Sequence, residues 1–145
     1  MKVVDIYTDG ACSGNPGLGG YCAILLYKGV EKIVSGSEKD TTNNRMELIA
    51  AIKGLECLKE PCQVNLYSDS QYLVDAFNQN WLISWQMNGW KSANKKEVKN
   101  IDLWEKLLEY SSKHKITFIK VKGHADNEYN NRCDKIAVEE YKKFQ

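Results

Sequence analysis

Two aspartates that follow similar strand-like segments are the first candidates for chemistry. Asp9 follows Ile6-Tyr7-Thr8, and Asp69 follows Leu66-Tyr67-Ser68. Alternate side chains of a strand share a face, so each aspartate lies on the face of the tyrosine two residues before it. If the two strands are parallel neighbours, both carboxylates lie at the carboxyl edge of the sheet, where open α/β sheets bind ligands. Carboxylates so placed repel each other unless one is protonated or a cation bridges them, so the pattern predicts a metal site.

Glu47, Asp134 and His124 could complete this site, although each also has a simpler interpretation. The local sequence favours a capping box between Asn44 and Glu47, but Glu47 also borders the apolar face of its helix and could reach Asp9. Asp134 could be a first-turn acid that the helix dipole stabilises. His124 could be a solvated loop histidine or a proton shuttle.

Taken together, these residues supply four carboxylates and no cysteine–histidine zinc pattern, which favours Mg²⁺ or Mn²⁺ over zinc. Magnesium keeps open positions for phosphate and water. Two such ions about 4 Å apart would activate a water and stabilise the leaving oxygen, so the set suits in-line hydrolysis of a phosphodiester.

A tryptophan- and lysine-rich segment, residues 81–99, gives a clue to the substrate. Trp81 and Trp85 lie one helical turn apart, and they could simply belong to the core. Trp90 precedes a run of lysines, where ammonium groups could meet phosphates and indole rings could stack on sugars or bases. A solvated charged surface is an equally good explanation of the lysines.

Composition bounds the class of protein. The chain has 145 residues, of which 43% are hydrophobic and 27% charged, so we expect one folded domain over residues 1–145. The net charge of +1 gives no global evidence for nucleic-acid binding. No apolar run could span a membrane and no signal-peptide pattern is present, so we expect no membrane association and a cytoplasmic location. The five cysteines have no zinc spacing and are expected to be free thiols.

The elements that must position these residues follow from periodicity and turn residues. The glycine-rich segment 12–20 predicts a wide hairpin loop, since it matches no nucleotide-binding fingerprint and no helix follows it. Apolar helical spacing predicts a crossover helix that begins at residues 40–44. The order βββαβαααβα predicts an α/β fold with a mixed five-stranded sheet. Predicted strands cover residues 3–9, 21–27, 31–37, 64–69 and 116–121, and a closing helix covers 133–144.

Six motifs together resemble type 1 ribonuclease H, in order and over essentially the whole chain. They are Thr8-Asp9-Gly10-Ala11-Cys12, Gly14-Asn15-Pro16-Gly17, Thr41-Thr42-Asn43-Asn44-Arg45-Met46-Glu47, Asp69-Ser70-Gln71-Tyr72, Val121-Lys122-Gly123-His124 and Asn131-Arg132-Cys133-Asp134. The resemblance implies an endonuclease that cuts the RNA strand of RNA–DNA hybrids with two Mg²⁺ ions, or with Mn²⁺, and that acts as a monomer. It implies metal ligation by Asp9, Glu47, Asp69 and Asp134, with His124 helping proton transfer or product release.

The resemblance also implies the residues that contact the hybrid. Short polar side chains can read the 2′-hydroxyls of an A-form-like minor groove without base specificity, and Cys12, Asn15, Asn43, Asn44 and Gln71 match this role. By the same match, Thr42 and Asn100 form part of a pocket for a phosphate of the DNA strand. The segment 81–99 resembles the basic handle that grips the DNA strand, with candidate contacts at Trp81, Trp85, Trp90, Lys91, Lys95 and Lys96.

The handle departs from the family pattern at one place. The bacterial handle is strongly basic between the positions of Trp85 and Trp90, whereas here the residues are Gln86, Met87, Asn88 and Gly89. We therefore expect a weaker grip on the DNA strand and unchanged chemistry.

Three other functions compete with this one. A non-catalytic binder of hybrids or double-stranded RNA would lack a ligand, and all four carboxylates are present. The nuclease module of a reverse transcriptase is disfavoured by the complete handle and the initial Met. A small-molecule α/β enzyme would have a phosphate-binding helix after the glycine-rich segment, where a strand is predicted instead.

Overall fold

A computed structural model describes residues 1–92, 94–122 and 127–145. Its element order confirms the predicted βββαβαααβα arrangement. The strands are β1 (Lys2–Cys12), β2 (Gly17–Tyr27), β3 (Val30–Thr41), β4 (Cys62–Ser68) and β5 (Lys115–Lys120). The helices are α1 (Asn43–Glu56), α2 (Gln71–Asn78), α3 (Trp81–Met87), α4 (Ile101–Lys113) and α5 (Glu128–Lys142).

The five strands form one mixed sheet in the order β3-β2-β1-β4-β5. The first three strands form an antiparallel meander, and β4 and β5 add in parallel through helical crossovers. In the parallel pairing of β1 with β4, Tyr7 lies opposite Tyr67. Asp9 and Asp69 each lie two residues beyond that pair. The two strands are parallel neighbours, as predicted, but β4 ends at Ser68, so Asp69 lies in the turn just after its strand rather than on it.

Alternation along the strands gives the sheet two different packed faces. One face carries the main core, in which Ile6 of β1, Leu48 of α1 and Trp104 of α4 are fully buried. The other face packs Cys22 and Ile24 of β2 against α5. Full burial of a large apolar side chain stabilises a fold by about 1.5–3 kcal/mol, so the main core anchors α1, and with it Glu47, against the sheet.

The predicted boundaries are wrong at the glycine-rich segment and at the last helix. Strand β2 begins at Gly17, so half of the predicted loop is strand. The reason is close packing: a Cβ on Gly20 would overlap the backbone of Ala137 in α5. Helix α5 begins at Glu128, five residues before the predicted start, because its first turn packs on Tyr7 and lacks the apolar spacing of a core helix.

All five cysteines are free thiols, as predicted. In the described ranges of the chain, none of the helices is long and apolar enough to cross a membrane.

Candidate active site

Three carboxylates meet where the pairing of β1 with β4 ends. Asp9, Glu47 and Asp69 each place a carboxylate oxygen within 4.8 Å of the others. Strand β1 continues past the end of β4, so Asp9 approaches from the strand itself and Asp69 from the turn after β4. Asp9 and Glu47 are each only 5% exposed, and Asp69 is more open to solvent. The structure therefore brings together three of the predicted metal ligands in one cleft.

Glu47 does not take part in the predicted capping box. The N-cap of α1 is Thr42 rather than Asn44, and its hydroxyl oxygen accepts a hydrogen bond from the Arg45 N–H at 3.2 Å. Glu47 Oε1 instead accepts a hydrogen bond from the Gly10 N–H at 2.8 Å. A Cβ at Gly10 would lie 2.5 Å from the Glu47 nitrogen, so only glycine allows this close approach of α1 to β1. The backbone of β1 thus orients the carboxylate toward Asp9.

Asp69 is held in a short turn between two serines. The Ser68 hydroxyl accepts a hydrogen bond from the Ser70 N–H at 3.0 Å, and the Ser70 hydroxyl caps α2 by accepting from the Leu73 N–H at 3.2 Å. Both serines are buried. These bonds fix the backbone of the turn from which the Asp69 carboxylate projects.

Asp134 reaches the cluster from the opposite face of the sheet to α1. It lies in the second turn of α5, so the interpretation of Asp134 as a first-turn acid is wrong. It contributes to the raised pKa of Asp9 and so lies on the Asp9 side of the cluster. The oxygens that lie within 4.8 Å of one another belong to Asp9, Glu47 and Asp69. His124 lies outside the residues that the structure describes.

The electrostatics of the cluster favour a bound cation. Burial, followed by the charge of Asp69, raises the pKa of Asp9 to about 9. Burial and the charges of Asp9 and Asp69 likewise raise the pKa of Glu47 well above its usual range. Within the described chain, Asp69 Oδ1 is buried and has no hydrogen-bond partner. An all-oxygen cluster with an unpaired buried oxygen fits a hard divalent cation, which would lower the pKa of the carboxyl groups.

A groove with a volume of about 570 Å³ opens beside the acidic cluster, at the start of α1. It is separate from the carboxylates, but Glu47 lies only one turn further along α1. Six of the residues predicted to contact the hybrid line it: Asn15, Thr42, Asn43, Asn44, Trp85 and Asn100. The side-chain oxygen Oδ1 of Asn15 accepts a hydrogen bond from the Asn43 N–H at 2.9 Å, which fixes the glycine-rich turn against α1.

A polar network that the sequence analysis missed forms the floor of this groove. Arg45 makes a two-pronged ion pair with Asp102, at 3.1 and 3.0 Å, and also donates a hydrogen bond to the side-chain oxygen Oδ1 of Asn100 at 3.1 Å. The Asn100 amide donates to the Tyr72 hydroxyl at 3.2 Å. The ion pair raises the pKa of Arg45, which stays charged. The only signal in the sequence was the position of Arg45 inside a predicted motif.

The remaining predicted contacts lie around the groove rather than in its lining. The Cys12 thiol donates a hydrogen bond to the Gly14 carbonyl oxygen at 2.6 Å, so it shapes the turn that holds Asn15. Gln71 is exposed at the start of α2, next to Asp69.

The handle places its tryptophans against the core and its lysines in solvent. Trp81, Trp85 and Trp90 are half-buried and pack on the main core, as the simpler interpretation of Trp81 and Trp85 expected. A backbone bridge between Lys91 and Glu97 closes a small loop. Lys91, Lys95 and Lys96 are all exposed on this loop. The exposed edges of the rings and the lysines remain available to a ligand.

Comparisons with known proteins agree with this geometry. The family model for RNase H matches residues 1–142. A Ribonuclease H from Acetivibrio thermocellus is 68% identical over 143 residues, which cover 99% of this chain and 97% of the relative. A Ribonuclease H from Caldanaerobacter subterraneus subsp. tengcongensis is 62% identical over 142 residues, which cover 98% of this chain and 93% of the relative.

Solved structures share the fold over the full chain. LC9-RNase H1, described as a type 1 RNase H with the type 2 active-site motif, superposes with a TM-score of 0.88 at 27% identity. The match covers 100% of this chain and 74% of that one. LC11-RNase H1, solved in complex with an RNA/DNA hybrid, has a TM-score of 0.66 at 23% identity. It covers 97% of this chain and 98% of that one and shows a common fold.

Proposed function

The chain belongs to the ribonuclease H family, and from this premise we propose that Asp9, Glu47, Asp69 and Asp134 bind two Mg²⁺ ions in an enzyme that hydrolyses the RNA strand of RNA–DNA hybrids. The observation that carries this proposal is the convergence of the carboxylates. Asp9, Glu47 and Asp69 each place a carboxylate oxygen within 4.8 Å of the others, and Asp134 adds to the raised pKa of Asp9. Such crowding raises the free energy of the folded protein unless a cation neutralises it.

The bound ions would lower the pKa of the attacking water and stabilise the charge on the leaving oxygen. The protein contributes the fixed positions of its carboxylates. Gly10 orients Glu47 through a backbone hydrogen bond, and the serines on either side hold Asp69. His124 completes the proposed set as a group that helps proton transfer or product release.

The groove beside the cluster supports the proposed mode of hybrid binding. Asn15, Asn43 and Asn44 present short polar side chains at the start of α1, where they can meet the 2′-hydroxyls of the RNA strand. Cys12 and Gln71 flank these residues. Thr42 and Asn100 line the same groove and would supply donors for a phosphate of the DNA strand, because the Thr42 hydroxyl hydrogen and one Asn100 amide hydrogen have no acceptor among the described residues.

We propose that residues 81–99 form a handle that binds the DNA strand of the hybrid. The exposed Lys91, Lys95 and Lys96 would neutralise phosphates, and the exposed edges of Trp81, Trp85 and Trp90 would pack on sugars. This assignment also explains why the tryptophans are only half-buried.

We further propose that the enzyme acts as a single-domain monomer in the cytoplasm. Its five free thiols support a reducing compartment. Light scattering coupled to gel filtration measures the oligomeric state, and a dimer mass would contradict this part of the proposal.

A cleavage assay tests the proposed metal ligands. Labelled RNA–DNA hybrid, double-stranded RNA and double-stranded DNA are incubated with the wild type, with Asp69→Asn and with Asp5→Asn, in Mg²⁺ or in EDTA. Asp5 is the matched control, because it lies on the same face of β1 and asparagine can still accept the 3.1 Å hydrogen bond from the Asn65 amide. We expect the wild type and the control to cut only the hybrid, and only when metal is present. Asp69→Asn should not cut it. Substantial cleavage by Asp69→Asn would remove it from the ligand set.

A further inference from the structure

Three tyrosine rings form a continuous stack directly beneath the carboxylates. Tyr7 lies between Tyr67, at 4.6 Å between ring centroids and 9° between planes, and Tyr129, at 4.8 Å and 26°. We call these residues the tyrosine stack. Each ring is half-buried, and stacked aromatic pairs contribute specific contact energy beyond their buried area. The three side chains therefore behave as one packed unit.

The tyrosine stack connects the three elements that carry Asp9, Asp69 and Asp134. Tyr7 precedes Asp9 by two residues on β1, and Tyr67 precedes Asp69 by two residues on β4, so each ring shares a face with its aspartate. Tyr129 lies in the first turn of α5, about one and a half turns before Asp134. Helix α5 packs on β1 and β2, whereas β4 lies on the other side of β1 in the sheet. The Tyr7 ring thus bridges the supports of Asp69 and Asp134.

The α5 end of the stack is fixed by several other contacts. The Arg132 guanidinium lies 5.6 Å from the centre of the Tyr129 ring and makes a two-pronged ion pair with Glu31 of β3, at 3.1 and 2.9 Å. The Asn127 side chain accepts a hydrogen bond from the Tyr129 N–H at 3.1 Å. The Cys133 thiol donates to the Tyr7 carbonyl oxygen at 3.2 Å. The first turn of α5 therefore has one defined position relative to β1.

We propose that the tyrosine stack sets the spacing between Asp69 and Asp134 and thereby the affinity of the acidic cluster for divalent metal ions. Tyr7, Tyr67 and Tyr129 are positioning residues, since the recorded partners of their rings are one another, Arg132 and the apolar cluster between β2 and α5. This inference rests on the proposed function. The effect comes from the packing of the rings rather than from a hydroxyl group. Phenylalanine in place of each tyrosine should therefore preserve the metal affinity, and leucine should not.

The test measures metal binding without substrate. Thermal melts of the hybrid-free protein over a Mg²⁺ titration give the concentration at which half of the metal-dependent stabilisation appears. The variants are Tyr129→Leu, Tyr67→Leu and the conservative Tyr129→Phe. Tyr110→Leu is the matched control, because Tyr110 also stacks on a neighbouring ring, that of His114 on α4, away from the cluster. The Mg²⁺ dependence of hybrid cleavage is measured in parallel, well below every melting temperature.

We expect both leucine variants at the stack to raise the Mg²⁺ midpoint about 3- to 10-fold, the size of a lost aromatic contact. Tyr129→Phe and Tyr110→Leu should stay near wild type, and KM for the hybrid at saturating Mg²⁺ should not change. If Tyr67→Leu does not fold, the result for Tyr129→Leu decides the test, because Tyr129 lies at the start of a helix. A leucine variant with a lower melting temperature but a wild-type Mg²⁺ midpoint would show that the stack only stabilises the fold. Failure of the wild type to cut hybrid in Mg²⁺ would instead overturn the proposed function itself.

Discussion

Removing one carboxylate from the acidic cluster should stabilise the metal-free protein, and by an amount that depends on pH. Asp9→Asn keeps the shape of the side chain and eliminates its negative charge. Asp9 is 5% exposed and lies within 4.8 Å of the carboxylates of Glu47 and Asp69, so in the absence of metal its ionised form is strongly disfavoured in the folded state. The variant therefore isolates the electrostatic cost of keeping the site ready for metal.

The magnitude follows from the difference between the folded and unfolded pKa of Asp9. Its pKa is raised from 3.8 to about 9 in the folded protein. Below the unfolded pKa both states hold the proton, and the site costs nothing. Between the unfolded and the folded pKa only the folded state holds the proton. The free energy of unfolding therefore falls by about 1.4 kcal/mol for each pH unit in this range, and it stops falling near the folded pKa. The gap between Asp9→Asn and wild type should grow by about 3 kcal/mol from pH 5 to pH 7.

Urea or thermal unfolding in EDTA at pH 5 and pH 7 measures this gap. For a chain of this size, about 3 kcal/mol corresponds to roughly 6–12 °C in melting temperature. Asp102→Asn is the control, because the Arg45 hydrogen bond lowers the pKa of Asp102 and keeps it ionised in both buffers. Its effect should be a small loss of stability of equal size at both pH values. Saturating Mg²⁺ should shrink or reverse the gap of Asp9→Asn, since the wild type gains metal-binding energy.

Two results would refute this reasoning. A gap of the same size at pH 5 and pH 7 would mean that Asp9 is ionised in the folded, metal-free protein. An Asp9→Asn variant that melts at or below wild type in EDTA at pH 7 would mean that the carboxylates are not a strained cluster.

Three further predictions concern other parts of the molecule. Gly10→Ala should destabilise the protein by about 1–3 kcal/mol in urea unfolding, because its Cβ would force α1 away from β1; an unchanged stability would contradict the close approach. His124→Ala should lower turnover about 100-fold and far less than Asp69→Asn; equal inactivity of the two variants would argue against proton transfer. Gln86→Lys combined with Asn88→Arg should steepen the salt dependence of hybrid binding by about one to two units. An unchanged slope would show that these exposed positions do not face the nucleic acid.

The sequence was sufficient to predict the element order and the meeting of Asp9 with Asp69. Both rest on short-range rules: alternation within a strand, and the parallel crossover that a helix between two strands enforces. The residues alone left open whether Glu47 and Asp134 join the site, although the resemblance implied it, because this depends on how α1 and α5 dock on opposite faces of the sheet.

The errors have physical causes that local sequence does not carry. Thr42 and Asn44 are both good capping residues, and the choice between them follows from the long-range hydrogen bond of Glu47 to Gly10. Gly20 looks like a loop residue, yet it lies in a strand because α5 packs directly on it. Arg45 looks like a surface cation, but its partner Asp102 lies on a helix 57 residues away along the chain.

The pairing order of the sheet has a consequence for how the enzyme comes into being. The contact between Cys133 and Tyr7 joins residues 126 positions apart, and β1 must wait for β4 before Asp9 and Asp69 become neighbours. Such non-local pairing slows folding, because the entropy of closing long loops is lost before the contacts form. A growing chain thus presents its meander early, whereas the proposed ligand Asp134 joins only when the last helix docks. On this proposal, nuclease activity reports completion of the fold.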